Sequence, residues 1–308
     1  MSWTIHDIGD LRGQVALVTG ANTGIGRVTA EVLAQHGATV VLGCRDLTKA
    51  GWVATAIRRT GGVAEPLHLD LASLASIATA ADRFHQLHDR LDLLINSAGV
   101  MIPPYGRTED GFELQFGVNH LGHFALTGLL LDRLLAAPDP RVVTVSSAGH
   151  WRGRIDFADL HSTRGYVPQA AYNQSKLANL LFAFALQRRL GSAGRSVAAH
   201  PGAARTELMR HSPWHFRFVV SRRTKWLFSW LIQDERQAAL PSLRAATDAH
   251  AAGGDYFGPS GWREFTGRDA VLVPAAPASR DVALQERLWA ESERLSGVTY
   301  EATRGAPG

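Results

Sequence analysis

Short, mostly apolar runs alternate along this chain with longer stretches whose apolar residues return every three or four places. The runs are residues 14–20 (QVALVTG), 38–44 (ATVVLGC), 63–69 (VAEPLHL), 91–99 (LDLLINSAG), 141–147 (RVVTVSS) and 196–202 (SVAAHPG). They are rich in β-branched residues and too short for helices, so they read as buried strands. Between the first two, Ile25, Val28, Val32 and Leu33 take helical spacing, and Gly37 is placed to stop the helix. A further helical stretch ends at Gly61-Gly62. Strands without polar alternation, each separated from the next by a crossover stretch, predict a parallel sheet covered on both faces. Right-handed crossovers make it doubly wound, with about seven strands in a single domain spanning 1–308. Ligands of such sheets sit beyond the carboxyl ends of the strands, so chemistry is expected just after each apolar run.

The strand ends carry it. The first runs into TGANTGIG, residues 19–26. Gly20, Gly24 and Gly26 permit a tight turn and bring Asn22, Thr23 and Ile25 close to a pyrophosphate at a helix N-terminus. The spacing G-x-x-x-G-x-G is a weak signal alone and gains weight between a strand and a helix. The second strand ends at Cys44, where NAD-binding relatives of such sheets place a carboxylate for the ribose. Arg45 stands beside it, and a guanidinium suits a 2′-phosphate, so NADP is expected; a merely solvated arginine is the alternative. Asp70, followed by Leu71, closes the third strand, either to accept from an adenine amino group or to cap the next helix. Asn96, Ser97, Ala98 and Gly99 close the fourth, small enough for a ligand to pass closely.

Tyr172 and Lys176 are four residues apart in AAYNQSKLANLLFAFALQRRL, so a helix puts them on one face. A free phenol titrates near ~10, and an ammonium beside it is expected to lower that value toward neutrality.

Composition narrows the class without naming it. Of 308 residues, 45% are hydrophobic and 19% charged, which suits one large globular domain or two small ones. One cysteine excludes an internal disulfide framework and points to a reducing compartment. With no apolar run near ~20 residues and no signal-like start, a cytoplasmic protein is expected. The net charge of +4 is not gathered into a tract, so nucleic acid is not the expected partner.

Together, Thr19-Gly20-x-x-x-Gly24-x-Gly26, Asn96-Ser97-Ala98-Gly99, Asn119, Ser147, Tyr172-x-x-x-Lys176 and Pro201-Gly202-x-x-x-Thr206 resemble the short-chain dehydrogenase/reductase family from about residue 12 to 300. The wording between motifs, as in TEDGFELQFGVNHLGHFALT, is most similar to its retinol-dehydrogenase-like and protochlorophyllide-reductase-like branch. The resemblance implies a Rossmann-type fold and an oxidoreductase that moves a hydride between NADP(H) and a carbonyl or alcohol. It implies Tyr172 as proton donor or base, Lys176 on the nicotinamide ribose, Ser147 on the substrate oxygen and Asn119 holding a water that links Lys176 to solvent. Ser147 is preferred to Ser146, which fits better as the cap of the next turn. Pro201, Gly202 and Thr206 would hold the carboxamide. Ser97 departs from the family's usual asparagine, and altered local packing is expected from it.

Three readings stay open beside these. His120 and His123 invite a metal but have no carboxylate or cysteine to complete it, so core histidines are expected, as at His200. The segment 213–232 (PWHFRFVVSRRTKWLFSWLI) suits a substrate lid within about 207–235, or an amphipathic contact with a membrane surface. The rival class is a non-catalytic NADPH-sensing protein of the same fold. A homo-oligomer is compatible with all of this, and the sequence names no particular substrate.

Overall fold

The structure, a computed structural model, describes residues 3–202, 233–261, 264, 266–267 and 269–300. In chain order its first half holds β1 (Val15–Thr19), α1 (Gly24–Gln35), β2 (Thr39–Cys44), α2 (Leu47–Arg59), β3 (Val63–His68), α3 (Leu74–Leu87) and β4 (Leu93–Asn96). Then come α4 (Leu114–Phe116), a π turn (Gly117–Leu121), α5 (Gly122–Leu129), α6 (Leu131–Leu135), β5 (Arg141–Val145), α7 (Pro168–Leu190) and β6 (Arg195–Ala199). After the undescribed stretch follow α8 (Glu235–Thr247), β7 (Tyr256–Pro259), β8 (Ala270–Leu272) and α9 (Val282–Ser296).

The strands form one sheet in the order β3-β2-β1-β4-β5-β6-β7-β8. All neighbours are parallel except β7 and β8. The order reverses between β1 and β4, which opens a crevice above their carboxyl ends. All six strands expected from the apolar runs are present. The sheet exceeds the expected count by its far edge, where Gly258-Pro259 reads as a turn and β8 is three residues long.

Strand residues alternate between two cores. Ala16, Val18, Val40, Leu42, Leu93 and Ile95 face one side with α1, α2 and α8, whereas Leu17, Val41, Leu94 and Val142 face α3, α5 and α7. This is why the strands read as continuous apolar runs: both faces are covered, and each buried Val or Leu contributes about 1.5–3 kcal/mol. α7 is buried along nearly its whole length, from Ala171 to Leu190, between β5, β6 and α9. The aromatic rings of Phe124, Phe182, Trp289 and Tyr300 lock α9 and the segment beyond it onto α5 and α7. The Tyr300 hydroxyl donates to the Phe124 carbonyl at 2.6 Å. Among the described residues no helix is long and apolar enough to cross a membrane.

Candidate active site

A cleft of about 540 Å³ runs over the carboxyl ends of the strands, from the glycine turn and the β2 end to Tyr172, Lys176 and Pro201. One wall is backbone. Gly20 adopts φ +67°, a left-handed conformation, and its N–H is held by the Gly43 carbonyl at 2.8 Å. Gly26 packs so closely under this turn that a Cβ would lie 2.6 Å from the Gly20 carbonyl oxygen. The turn thus folds back on the start of α1, whose N–H groups face the cleft beside Asn22, Thr23, Gly24 and Ile25. A helix N-terminus reached through such a turn is an anion site.

At the β2 end no carboxylate takes the ribose position. Cys44 is buried, and burial pushes its thiol up to about 12, so it stays neutral. Arg45 is 76% exposed, with Nη1 3.9 Å from Asp70 Oδ2. Asp46 also borders the cleft but is occupied capping α2, where its carboxylate accepts the Lys49 N–H at 3.1 Å. Lys49 lines the same corner and adds a second cation that the sequence reading missed; its only signal was standing one helical turn after Arg45. Asp70 does not cap the next helix. Its Oδ1 accepts the Ala72 N–H at 2.9 Å in a local turn, and Ser73 caps α3. Asp70 and Leu71 both border the cleft.

The β4 end is a clamp. Thr19 Oγ1 accepts the N–H groups of Ser97 and Ala98, both at 2.9 Å. Position 97 is therefore held through its backbone, which accommodates serine in place of the family's asparagine. Ser97, Ala98 and Gly99 line the cleft, but Asn96 does not. Asn96 is fully buried beneath it and donates to Thr127 Oγ1 at 3.1 Å, so its place as a cofactor contact is corrected to a tie between β4 and α5.

At the opposite end α7 brings Tyr172 and Lys176 together, with Nζ 5.7 Å from the phenol ring centre. Lys176 is buried and donates to the Val145 carbonyl at 3.2 Å; burial lowers its ammonium to about 8. Burial also raises the Tyr172 phenol, against an opposing hydrogen bond from Ser147. This reverses the expectation that Lys176 lowers it. The desolvation of a phenolate outweighs the ammonium, which points to the Val145 carbonyl.

Ser147 caps the short 3₁₀ turn Ala148–Arg152, accepting the Gly149 N–H at 3.2 Å, while also meeting Tyr172. The capping role expected of Ser146 is thus Ser147's. The Ser146 hydroxyl instead donates to the Lys176 carbonyl at 2.8 Å.

Asn119 sits in the π turn, a distortion common at functional sites, that interrupts the helical stretch between α4 and α5. Its Oδ1 accepts the Val100 N–H at 2.7 Å, and its amide donates to the Val100 carbonyl at 3.0 Å and to Ser175 Oγ at 2.9 Å. Both amide protons are committed, so its side chain anchors the loop rather than donating to a water for Lys176. Gly99 fills the space between: a Cβ there would stand 3.0 Å from Asn119 Oδ1 and 3.7 Å from Lys176 Nζ.

Pro201 lines the cleft, and the Gly202 N–H donates to His200 Nδ1 at 3.2 Å. His200 in turn meets Glu264 at 3.0 Å. Thr206 and the segment 207–232 lie outside the described residues. His120 Nε2 bonds Ser292 Oγ at 2.9 Å among Phe116, Phe124 and Phe182. Among the described residues no three His, Cys, Asp or Glu side chains gather as a metal site requires.

The wall near Tyr172 is apolar: Val100, Met101, Pro103, Leu114 and Val118. It is framed by two residues the sequence reading passed over. Gln115 accepts the Ile102 N–H and donates to Tyr166 Oη, and Tyr166 donates to the Pro103 carbonyl, each at 2.9 Å.

Residues 14–214 match the family model described as short chain dehydrogenase. Human retinol dehydrogenase 13 is 45% identical over 96% of this chain and 88% of its own. The crystal structure of an uncharacterised protein from Mycobacterium paratuberculosis superimposes with a TM-score of 0.79 at 39% identity, covering 97% of this chain and 99% of that one. A short chain dehydrogenase from Escherichia coli CFT073, complexed with NADPH, does so with a TM-score of 0.63 at 25% identity, covering 80% and 96%. With its glycine turn, its Tyr172–Lys176 pair and these relatives, the chain belongs to the short-chain dehydrogenase family, in its retinol-dehydrogenase-like branch, and is an oxidoreductase acting on a CH–OH or C=O group.

Proposed function

We propose that the protein transfers a hydride between NADP(H) and the carbonyl or alcohol of an apolar small molecule. One observation carries the reading: Tyr172 and Lys176, with Ser147 hydrogen-bonded to the phenol, close one end of a cleft whose other end presents two cations and no free carboxylate at the β2 end. The residues present fit a dinucleotide phosphorylated on its ribose. Gly26 lets α1 begin directly beneath the glycine turn, where a Cβ would meet the Gly20 carbonyl, and the α1 N-terminus so placed suits the pyrophosphate. Arg45 and Lys49 suit the 2′-phosphate. The NADPH in the Escherichia coli structure agrees with this.

When bound, the nicotinamide gives or accepts the hydride. The chain's own residues handle the proton and the geometry. Tyr172, a phenol that burial holds still more firmly in its protonated form, donates its proton to the substrate oxygen in reduction and takes it back in oxidation. Ser147 donates a hydrogen bond to the same oxygen as charge grows there, a contribution of several kcal/mol in a dry site. The Lys176 ammonium, charged below about pH 8, holds the nicotinamide ribose. The apolar wall of Val100, Met101, Pro103, Leu114 and Val118 suits a hydrocarbon substrate, in keeping with the retinol named for the human relative.

Purified protein with NADPH and a panel of apolar aldehydes and ketones tests this. NADPH is consumed in step with the carbonyl, and NADH serves at least about tenfold less well, since a phosphate–guanidinium pair contributes about 1.5–3 kcal/mol. NADPH binding with no turnover on any apolar carbonyl or alcohol would favour the sensing protein.

A further inference from the structure

His123 is buried and makes two bonds that define its state. Its Nδ1 lies 3.0 Å from the Asn119 carbonyl oxygen, and its Nε2 2.9 Å from Thr19 Oγ1. A carbonyl only accepts, so Nδ1 carries the proton and Nε2 of the neutral ring is bare. Thr19 Oγ1 already accepts from Ser97 and Ala98, and its own proton goes to Nε2 at 2.9 Å in preference to the Ile95 carbonyl, which stands further off at 3.3 Å. Burial, with Lys176 nearby, keeps the imidazole neutral, down to about 4.

These bonds close a ring. Thr19 holds Ser97 and Ala98, the chain passes through Gly99 to Val100, Asn119 holds Val100, and His123 joins Asn119 back to Thr19. The two clamps on the cofactor-facing loop sit on separate elements, β1 and the π turn. Without the imidazole each could shift alone, and Gly99 would lose its register over Lys176 Nζ.

We propose that His123 is a positioning residue: it couples the two clamps and so sets the loop Ser97–Val100 against the cofactor, an inference that rests on NADPH occupying the cleft. His123→Phe keeps a ring and removes both bonds. His123→Gln returns an acceptor toward Thr19.

NADPH affinity is read by fluorescence titration, independently of any substrate, and the imidazole by nitrogen NMR. The Phe variant should bind NADPH about tenfold more weakly, the scale of one or two lost hydrogen bonds. The Gln variant should recover to within about threefold of the unmutated protein. The unmutated ring should show Nδ1–H and no titration above about pH 5. Unaltered affinity in the Phe variant, no recovery in a folded Gln variant, or an Nε2–H ring would each overturn the inference. Should the Phe variant not fold, the Gln variant and the tautomer still decide. Failure of the unmutated protein to bind NADPH would overturn the cofactor reading itself, and this inference with it.

Discussion

The two ends of the cleft are built by different means. The end over β1 and β2 is backbone and surface charge: a glycine turn, a helix N-terminus, an Arg45 that is 76% exposed and a half-exposed Lys49. The end over β5 and α7 is side chains set into the core: a half-buried Tyr172 and a buried Lys176, both displaced from their ordinary titration by desolvation, with Ser147 and the Asn119 clamp around them. The first end identifies a ligand and the second acts on it. Exposed cations attract a phosphate but are screened by salt, and losing one costs little. Buried titratable groups are costly to place, and losing one removes a step. Substitutions at the two ends should therefore fail differently.

The largest effect at the recognition end should come from shape, not charge. Gly26→Val puts a side chain where even a Cβ lies 2.6 Å from the Gly20 oxygen. NADPH affinity in a fluorescence titration should fall by about 10² or more, with about 1–3 kcal/mol lost from stability in a denaturant melt. Tight binding by this variant would mean that the glycine turn is no cradle.

Next comes Lys176, where the ends meet. Its ammonium is charged below about pH 8 and neutral above. If the charged form holds the cofactor, NADPH affinity should fall about tenfold from about pH 7 to about pH 9, by the ratio of charged fractions. Lys176→Met should bind more weakly and lose that dependence. An unchanged slope would assign the titration elsewhere.

Charge at the recognition end should matter less. Arg45→Ala should erase about a tenfold preference for NADPH over NADH, and Lys49→Ala about threefold, both shrinking as salt is raised. Dissociation constants for the two cofactors, measured at low and high salt, check this. Equal values in the unmutated protein would break the assignment of this corner to a 2′-phosphate.

The same division explains what could be read without coordinates. The strands were legible because both sheet faces are buried, and the glycine turn and the Tyr172–Lys176 spacing because backbone geometry and helical period are written locally. The antiparallel edge strand Ala270–Leu272 was too short to leave a period. The π turn was hidden because its sequence, GVNHL, looks helical. Lys49 looks like any solvated lysine until α2 turns it into the cleft. Asn96 and Asn119 carry motif positions whose tasks, tying β4 to α5 and holding Val100, depend on contacts distant in sequence. The direction of the Tyr172 shift was misread for a related reason. Spacing shows that an ammonium is near, but only packing shows how dry the phenol is.

The central claim is that Tyr172 exchanges the proton that accompanies the hydride. The most direct measurement is a single turnover of NADPH-loaded protein on an apolar aldehyde, unmutated against Tyr172→Phe, with NADPH affinity determined for both. Removing one hydroxyl from α7 should leave folding and affinity within about threefold, while the rate falls by about 10² or more, the scale of losing a general acid. A Tyr172→Phe protein that reduces the aldehyde at close to the unmutated rate would contradict the account.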